Sequence, residues 1–312
     1  MNKQSNGVKL PREAQKFEDV LPLPLSMQHS KPIESFADIA KLDDKDTPVV
    51  TMFSGGLNST YLLLRLQKLG FTNIHAVAVD VEAPVDVDGL PKHAAHFGAQ
   101  FKCLDGRELF VRDGIMPAIP AHAMYLGQFH ISSSLTRPIN TLPRLNNFIR
   151  RRGYPGKFGS PYPQSVVSRE KKDEELSVVG LSIMSKRKLS GDENPWCPEF
   201  EDGPLGDSEG FSIPENAYEW TRRYKEHATQ ELTLGLENGN LISVVGKKLP
   251  LIRAIALLNN EVGKYGHSRF LGLEPLSTDH KVLEIREAPA AAIIMDALRH
   301  LEIVTLESKT QS

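Results

Sequence analysis

Cysteine is scarce. Cys103 and Cys197 are the only two in 312 residues, far apart and in no CxxC arrangement. This speaks against a disulfide framework and a cysteine-built zinc site, and it suits a reducing cytoplasm. Long apolar runs are missing too: nothing approaches the roughly 18 residues of a membrane span, and the opening Met-Asn-Lys-Gln-Ser-Asn-Gly has no apolar signal-peptide core. Charge of one sign is not in excess, since 37 Lys+Arg against 39 Asp+Glu leave a formal charge of −2. Such a chain carries no electrostatic footprint for nucleic acid or an anionic membrane. An anionic ligand must then be held by local geometry, which points to small molecules. No Gly-Lys-Ser/Thr Walker ending and no GxGxxG after a strand occurs, and Ser54 to Ser59 offers no nucleophile elbow of GxSxG type. His93 and His96, three apart on an expected helix, have no third metal-type ligand at a suitable spacing and read as a solvated helix face. No metal ligands are predicted, and the catalytic residues stay unassigned.

What is present is ordinary globular material, 40% hydrophobic and 24% charged, enough for one large or two modest domains. Residues 1–46, with Pro22, Pro24 and Pro32 and no sustained period, read as an irregular N-terminal arm. From Thr47 the pattern becomes regular. An apolar strand over 48–53 leads through Gly55-Gly56 into a helix with leucines at 62, 63, 64, 66 and 69, closed by Gly70. A β-branched run over 74–81, a helix over 91–97 and a strand over 101–104 complete a β-α-β-α-β order, the start of a doubly wound parallel sheet. Residues 107–152 read as mostly helical, interrupted by prolines, and the charge run Arg169 to Glu175 as a solvated loop in a stretch that includes a mobile part or lid. Glu237-Asn238-Gly239-Asn240 between two strand-like runs predicts a hairpin, followed by helices over 251–264 and 290–301. The expected domains are a nucleotide-binding domain over 47–185 and a substrate domain over 186–312.

Ser54-Gly55-Gly56-Leu57-Asn58-Ser59-Thr60 joins the first strand to the first long helix. Glycines let backbone N–H groups approach phosphate oxygens, the hydroxyls add donors, and the helix N-terminus favours negative charge. Alone, the same Gly-Gly turn also suits a plain strand-to-helix connection capped by Asn58 or Ser59.

The loop resembles the SGGxDS/T signature of the PP-loop ATP pyrophosphatases, and its fuller form resembles the SGGLDTS loop of argininosuccinate synthase. Pro117-Ala118-Ile119, Ala123-Met124-Tyr125 and Ser132 to Pro138 are similar to that family's PAI, ALY and GTSLARP segments. Ser190 to Trp196 with Tyr218-Glu219-Trp220-Thr221 resembles SxDENLW and YEWT, and Leu258 to Gly266 with Ile285 to Ala291 resembles LNEIAGKHG and IYEAPAA. The resemblance implies an α/β fold, a Rossmann-like PP-loop ATP pyrophosphatase sheet with a second, smaller α+β synthetase-like domain. It also implies ATP with Mg2+, and contacts to ATP at Ser54, Gly55, Gly56, Leu57, Asn58, Ser59, Thr60, Val79 and Arg137. Phe129, Ser134, Ser190, Glu199, Glu274 and Arg286 fall at substrate positions. The family's reaction adenylates the ureido oxygen of citrulline, releases pyrophosphate, and lets the amine of aspartate displace AMP.

Several positions depart from the pattern. Asn58 stands for an aspartate, Phe129 and Arg286 for tyrosines, and Glu199 for a serine. The family's HGATGKGNDQVRFE segment has no counterpart after Gly153, and its long C-terminal tail has none after 312. Glu199 and Arg286 either face a ligand bearing both a carboxylate and a cationic or donor group, or pair with each other or with solvent. The expectation is therefore an AMP- and pyrophosphate-forming ligase joining a ureido, amide or carboxylate substrate to an amine, in specialised metabolite biosynthesis and not on citrulline. The alternative is a catalytically degenerate nucleotide- or metabolite-binding regulator or partner subunit. Expected partners are the small-molecule substrate and the amine, with no nucleic acid and no membrane. A homodimer or heteromer is expected in place of the family's tetramer.

Overall fold

Strands β1 (Val49–Met52), β2 (Ile74–Asp80) and β3 (Gln100–Asp105) lie parallel in the order β1-β2-β3. They belong to a computed structural model that describes residues 32–82, 88–136, 158–181, 190–201, 203–207, 213–222, 229–275 and 281–305. Register runs from Val49 opposite Ile74 to Met52 opposite Val77, and from His75 opposite Gln100 to Asp80 opposite Asp105. Central β2 is buried from Ile74 to Ala78, as a parallel strand covered on both faces must be.

The first crossover is α2 (Leu57–Lys68), preceded in the chain by the short α1 (Phe36–Ala40), and the second is α3 (Gly89–His96). Leu57, Tyr61, Leu63, Leu64 and Leu66 of α2 are buried with Ile74, Ala76, Leu90 and Phe97 in one apolar cluster. The helix stops where the sequence says it should. Gly70 takes φ +84°, and the N–H groups of Gly70 and Phe71 donate to Gln67 O and Leu66 O, which satisfies two terminal carbonyls.

Three expectations are corrected. Residues 36–40, assigned to the irregular arm, form α1: Ser35 Oγ accepts from Asp38 N–H while Asp38 accepts from Ser35 N–H, a capping box that also buries Phe36 and Ile39. The charge run expected as a loop is helix α6 (Arg169–Val178), capped by Ser168 and seated on α2 by fully buried Leu176. Its salt bridge from Glu175 to Lys68, at 2.9 Å, fixes the same contact. Charge alone had suggested solvent, but α2 offers a partner face that local composition cannot show. The stretch after Arg107 is less helical than expected. α4 (Arg107–Phe110), a π-helical segment (Val111–Ile115) and α5 (Met116–Ala118) give way to a hairpin of β4 (Met124–Tyr125) and β5 (Phe129–His130). Leu126 and Gly127, at φ +51° and +68°, lie in the three-residue connection between these strands.

The rest of the chain is α+β. β8 (Leu234–Glu237), β9 (Asn240–Val244) and β10 (Lys247–Lys248) form an antiparallel meander, turned at Asn238-Gly239 as predicted. β6 (Ser190–Asp192), β7 (Glu199–Glu201), β11 (Arg269–Pro275) and β12 (Lys281–Glu287) form a second antiparallel sheet in the order β11-β12-β7-β6. Helices α7 (Leu251–Gly263) and α8 (Pro289–Thr305) pack on one another. One apolar cluster runs from Val81, Phe110 and Ile115 through Trp196 to Leu258 and Ile294, so the parallel sheet and the α+β part share a core. Among the described residues no helix is long and apolar enough to cross a membrane.

Candidate functional site

In an open parallel sheet, ligands bind beyond the carboxyl ends of the strands. Here those ends carry Ser54-Gly55-Gly56 after β1, Asp80 and Glu82 at and after β2, and Asp105 at the end of β3. Gly55 holds φ +73°, and a Cβ at that position would stand 2.3 Å from Leu90 Cδ2 of α3, so both backbone and space call for glycine. Gly56 is the N-cap of α2 with no side chain of its own. The loop therefore presents bare backbone to whatever sits at the helix start.

Hydroxyls line the same turn. Ser54 Oγ lies 3.3 Å from Ser59 Oγ and accepts from Gly56 N–H at 3.4 Å, while Ser59 Oγ donates to Gly56 O at 3.1 Å. The two exposed bonds of Ser54 are long and readily exchanged for bonds to an anion. Leu57 and Thr60 point inward instead: Leu57 is buried in the core, and Thr60 is fully buried, its Oγ1 without a hydrogen-bond partner among the described residues. Their contribution to a ligand would be through backbone. Val79 sits half-buried near the end of β2, opposite Leu104, and Arg137 lies outside the described residues.

Two residues that sequence inspection passed over reach this loop. Tyr162 donates from its hydroxyl to Asn58 O at 2.6 Å, and Lys172 of α6 donates to Asn58 Oδ1 at 2.8 Å. Burial raises the Tyr162 phenol pKa above its ordinary value. Burial chiefly, and Arg169 secondarily, lowers that of the Lys172 ammonium. Across the crevice Arg107 forms a two-pronged bond to Asp105, at 3.0 and 2.7 Å, and approaches Asp80 at 3.7 Å. Its charge is therefore already engaged. No group of three or more His, Cys, Asp or Glu side chains among the described residues is placed to hold a metal.

Four of the six substrate candidates, Ser190, Glu199, Glu274 and Arg286, lie on the second antiparallel sheet. Arg286 on β12 stands opposite Glu199 on β7. Its Nη2 lies 3.2 Å from Glu199 and 2.8 Å from Glu284, and its Nη1 donates to His130 O at 2.7 Å. Arg286 is 5% exposed and its guanidinium lies 5.2 Å from the Tyr125 ring and 5.6 Å from that of Phe129. Of the two alternatives for Glu199 and Arg286, the structure thus shows mutual pairing, with Glu284 as a third partner. Burial opposes the Arg286 charge, but Glu284 and Glu199 raise its pKa above the ordinary value. The ring of buried Phe129 lies where a Cβ on Gly272 would stand, so β5 and β11 meet face to face there. Glu274 lies two residues further along β11, opposite Val282, and Ser190 opens β6 opposite Glu201. Ser134 is exposed in a helical turn over 133–136.

The segments that carried the resemblance also converge as structure. The Glu287 carboxylate, fully buried, accepts from the N–H groups of Glu219, Trp220 and Thr221 and from the Thr221 hydroxyl, at 2.6 to 2.9 Å. Asn194 accepts from Trp196 and Cys197 N–H, and Asn259 ties Pro195 O to Ala290 N–H. The motif residues therefore fix chain paths around the sheet.

Comparison with known proteins gives a consistent picture. Residues 48–145 match the family model described as "Arginosuccinate synthase N-terminal HUP domain", and residues 189–312 the one described as "Arginosuccinate synthase C-terminal domain". Argininosuccinate synthase of Pyrococcus furiosus is 28% identical over 286 residues, covering 83% of this chain and 69% of that protein. That of Rubrobacter xylanophilus is 30% identical over 289 residues, covering 83% and 70%. Among solved structures, an NH3-dependent NAD synthetase from Campylobacter jejuni aligns with a TM-score of 0.33 and 11% identity, over 47% of this chain and 69% of that one.

Proposed function

Because the chain belongs to the argininosuccinate synthase family, whose members are ATP-dependent carbon–nitrogen ligases, we propose that it activates a carbonyl-type oxygen with ATP and joins that carbon to an amine. A ureido, amide or carboxylate oxygen attacks the α-phosphorus and pyrophosphate departs. The amine then adds to the activated carbon, and AMP leaves with the original oxygen. A urea or amide oxygen is a poor leaving group until it is adenylated. The protein's task is to hold phosphates and nucleophile in place.

One observation carries this proposal: the bare Gly55-Gly56 backbone and the Ser54 and Ser59 hydroxyls lie at the start of α2, beyond the carboxyl end of β1. A triphosphate suits that arrangement. Mg2+ would be carried chiefly by the nucleotide's own oxygens, since the loop offers hydroxyl and amide groups and no carboxylate. The bound ion neutralises charge on the departing pyrophosphate. The relatives' names give no support to a specialised-metabolite substrate, so citrulline with aspartate heads the assay panel. The internal pairing of Arg286 with Glu199 and Glu284 favours a different substrate. Cytoplasmic residence and a homodimeric or heteromeric state belong to the same proposal.

The experiment is conversion of ATP to AMP and pyrophosphate across ureido, amide and carboxylate substrates with amine partners. Substrate-dependent AMP is expected; ADP, or no turnover at all, refutes the ligase. A second possibility, a nucleotide-binding regulator or subunit, is favoured by the loop's lack of a carboxylate at Asn58. ATP binding without AMP formation over the whole panel would support it, and any substrate-dependent AMP would end it.

A further inference from the structure

Lys172 lies in the stretch between the two family models, residues 146–188, which neither model describes. It belongs to a run of charges, yet it is 7% exposed while its neighbours Lys171 and Glu174 on α6 are exposed. Its Nζ donates to Asn58 Oδ1 at 2.8 Å and lies 5.0 Å from the centre of the Tyr162 ring. An ammonium has three donors, and one is used here. No carboxylate pairs with it among the described residues, and Asn58 is a neutral amide. A cation withdrawn from water without an anion is costly, and such placement is retained where an anion arrives.

The location says which anion. Asn58 is the second residue of α2, directly after the Gly55-Gly56 turn, so the ammonium stands beside the first turn of the helix that faces the proposed phosphates. The four-carbon stem lets Nζ swing from the amide toward the loop without moving α6. α6 itself is anchored independently by Leu176 and by Glu175, which takes bonds from Lys68 and Tyr61. We propose that Lys172 is a phosphate-binding residue of this site, held ready by Asn58 and pairing with the phosphates of ATP and the departing pyrophosphate. The proposal rests on the ATP-binding function argued above. It gives the amide at position 58 a purpose: an aspartate there would neutralise the ammonium in an ion pair, whereas asparagine positions it and leaves its charge available.

The test uses the full chain and titrates ATP and inorganic pyrophosphate at fixed Mg2+ by calorimetry, with thermal unfolding of each variant alongside. Lys172→Met is expected to weaken both ligands tenfold or more while its melting temperature holds or rises, because a buried charge has been removed. Lys172→Arg should keep most of the affinity. Asn58→Asp should weaken both ligands in the same direction as Lys172→Met. A merely structural lysine would give the reverse, a lowered melting temperature with affinity unchanged. Wild-type protein that binds neither ligand overturns the ATP-binding function and this proposal with it. Wild-type binding with unaltered affinity in Lys172→Met overturns the proposal alone. Should that variant not fold, unchanged or tighter binding by Asn58→Asp overturns it instead.

Discussion

Replacing His130 by glutamine should remove a defined part of the protein's acid sensitivity. The imidazole is 4% exposed, packed edge-on against Phe270 at 5.2 Å and Trp196 at 6.5 Å between ring centres, and its Nδ1 has no hydrogen-bond partner among the described residues. Burial is the main cause that brings its pKa from 6.5 to about 4; Arg286 and Arg299 push the same way and Asp296 opposes them. Above pH 6.5 the ring is neutral folded or unfolded, so nothing is lost. As pH falls from 6.5 toward 4 only the unfolded chain takes the proton, and stability drops with each step. The full drop, worked from 6.5 against about 4, comes to about 3 kcal/mol. The assay is urea unfolding of wild type and His130→Gln at intervals from pH 7.5 to 4.5. Shared carboxylates cancel in the difference, whatever constant offset the substitution brings. A difference curve that slopes by about 2.5 kcal/mol over the window agrees with a buried neutral imidazole. Parallel curves refute it.

Three further outcomes follow from the geometry. Gly55→Ala forces a side chain into φ +73° against Leu90; about 1–2 kcal/mol of backbone strain should appear in thermal unfolding, with ATP affinity down about tenfold or more for each 1.4 kcal/mol that falls on the loop. Arg286→Met leaves Glu199 and Glu284 buried without their cation; a cost of about 3–5 kcal/mol is expected in chemical denaturation, shrinking on acidification as the carboxylates take protons. Glu287→Ala strips the acceptor from three N–H groups and the Thr221 hydroxyl; a loss of about 3 kcal/mol or more should show in denaturant midpoints, with unchanged stability counting against the network.

The local elements were legible where short-range chemistry decides them. Gly70 as a helix terminator, Asn238-Gly239 as a hairpin and the β-branched run of β2 each carry their structure in adjacent residues. The loop was legible for the same reason, because its conformation is set by Gly55 and Gly56 themselves. α6 was not, since its stability depends on Leu176 and Glu175 meeting α2, whose Tyr61 lies 114 positions before Glu175 in the chain. The pairing of Arg286 with Glu199 and Glu284 was likewise open, because only strand register brings β7 against β12. Sequence gave the types of charge present, and register decided which of them met.

The same distinction bears on what a family comparison can report. The matched segments build the sheet ends, the turn around Asn194 and the Glu287 network, all of them short-range or register-fixed features. Tyr162 and Lys172 come from the unmatched stretch, yet both bond to Asn58 in the loop that carries the likeness. A change at Asn58 is therefore not an isolated loss of a carboxylate. Taken with a buried ammonium 2.8 Å away, it exchanges a negative group near the phosphates for a positive one, and an anionic ligand gains by both halves of that exchange. Asn58→Asp combined with Lys172→Met separates the halves. If the two residues act as one unit, the double variant should lose less phosphate affinity than the sum of the two single losses, since no ammonium remains for the new carboxylate to neutralise. Simple addition of the two single losses would show that they act apart.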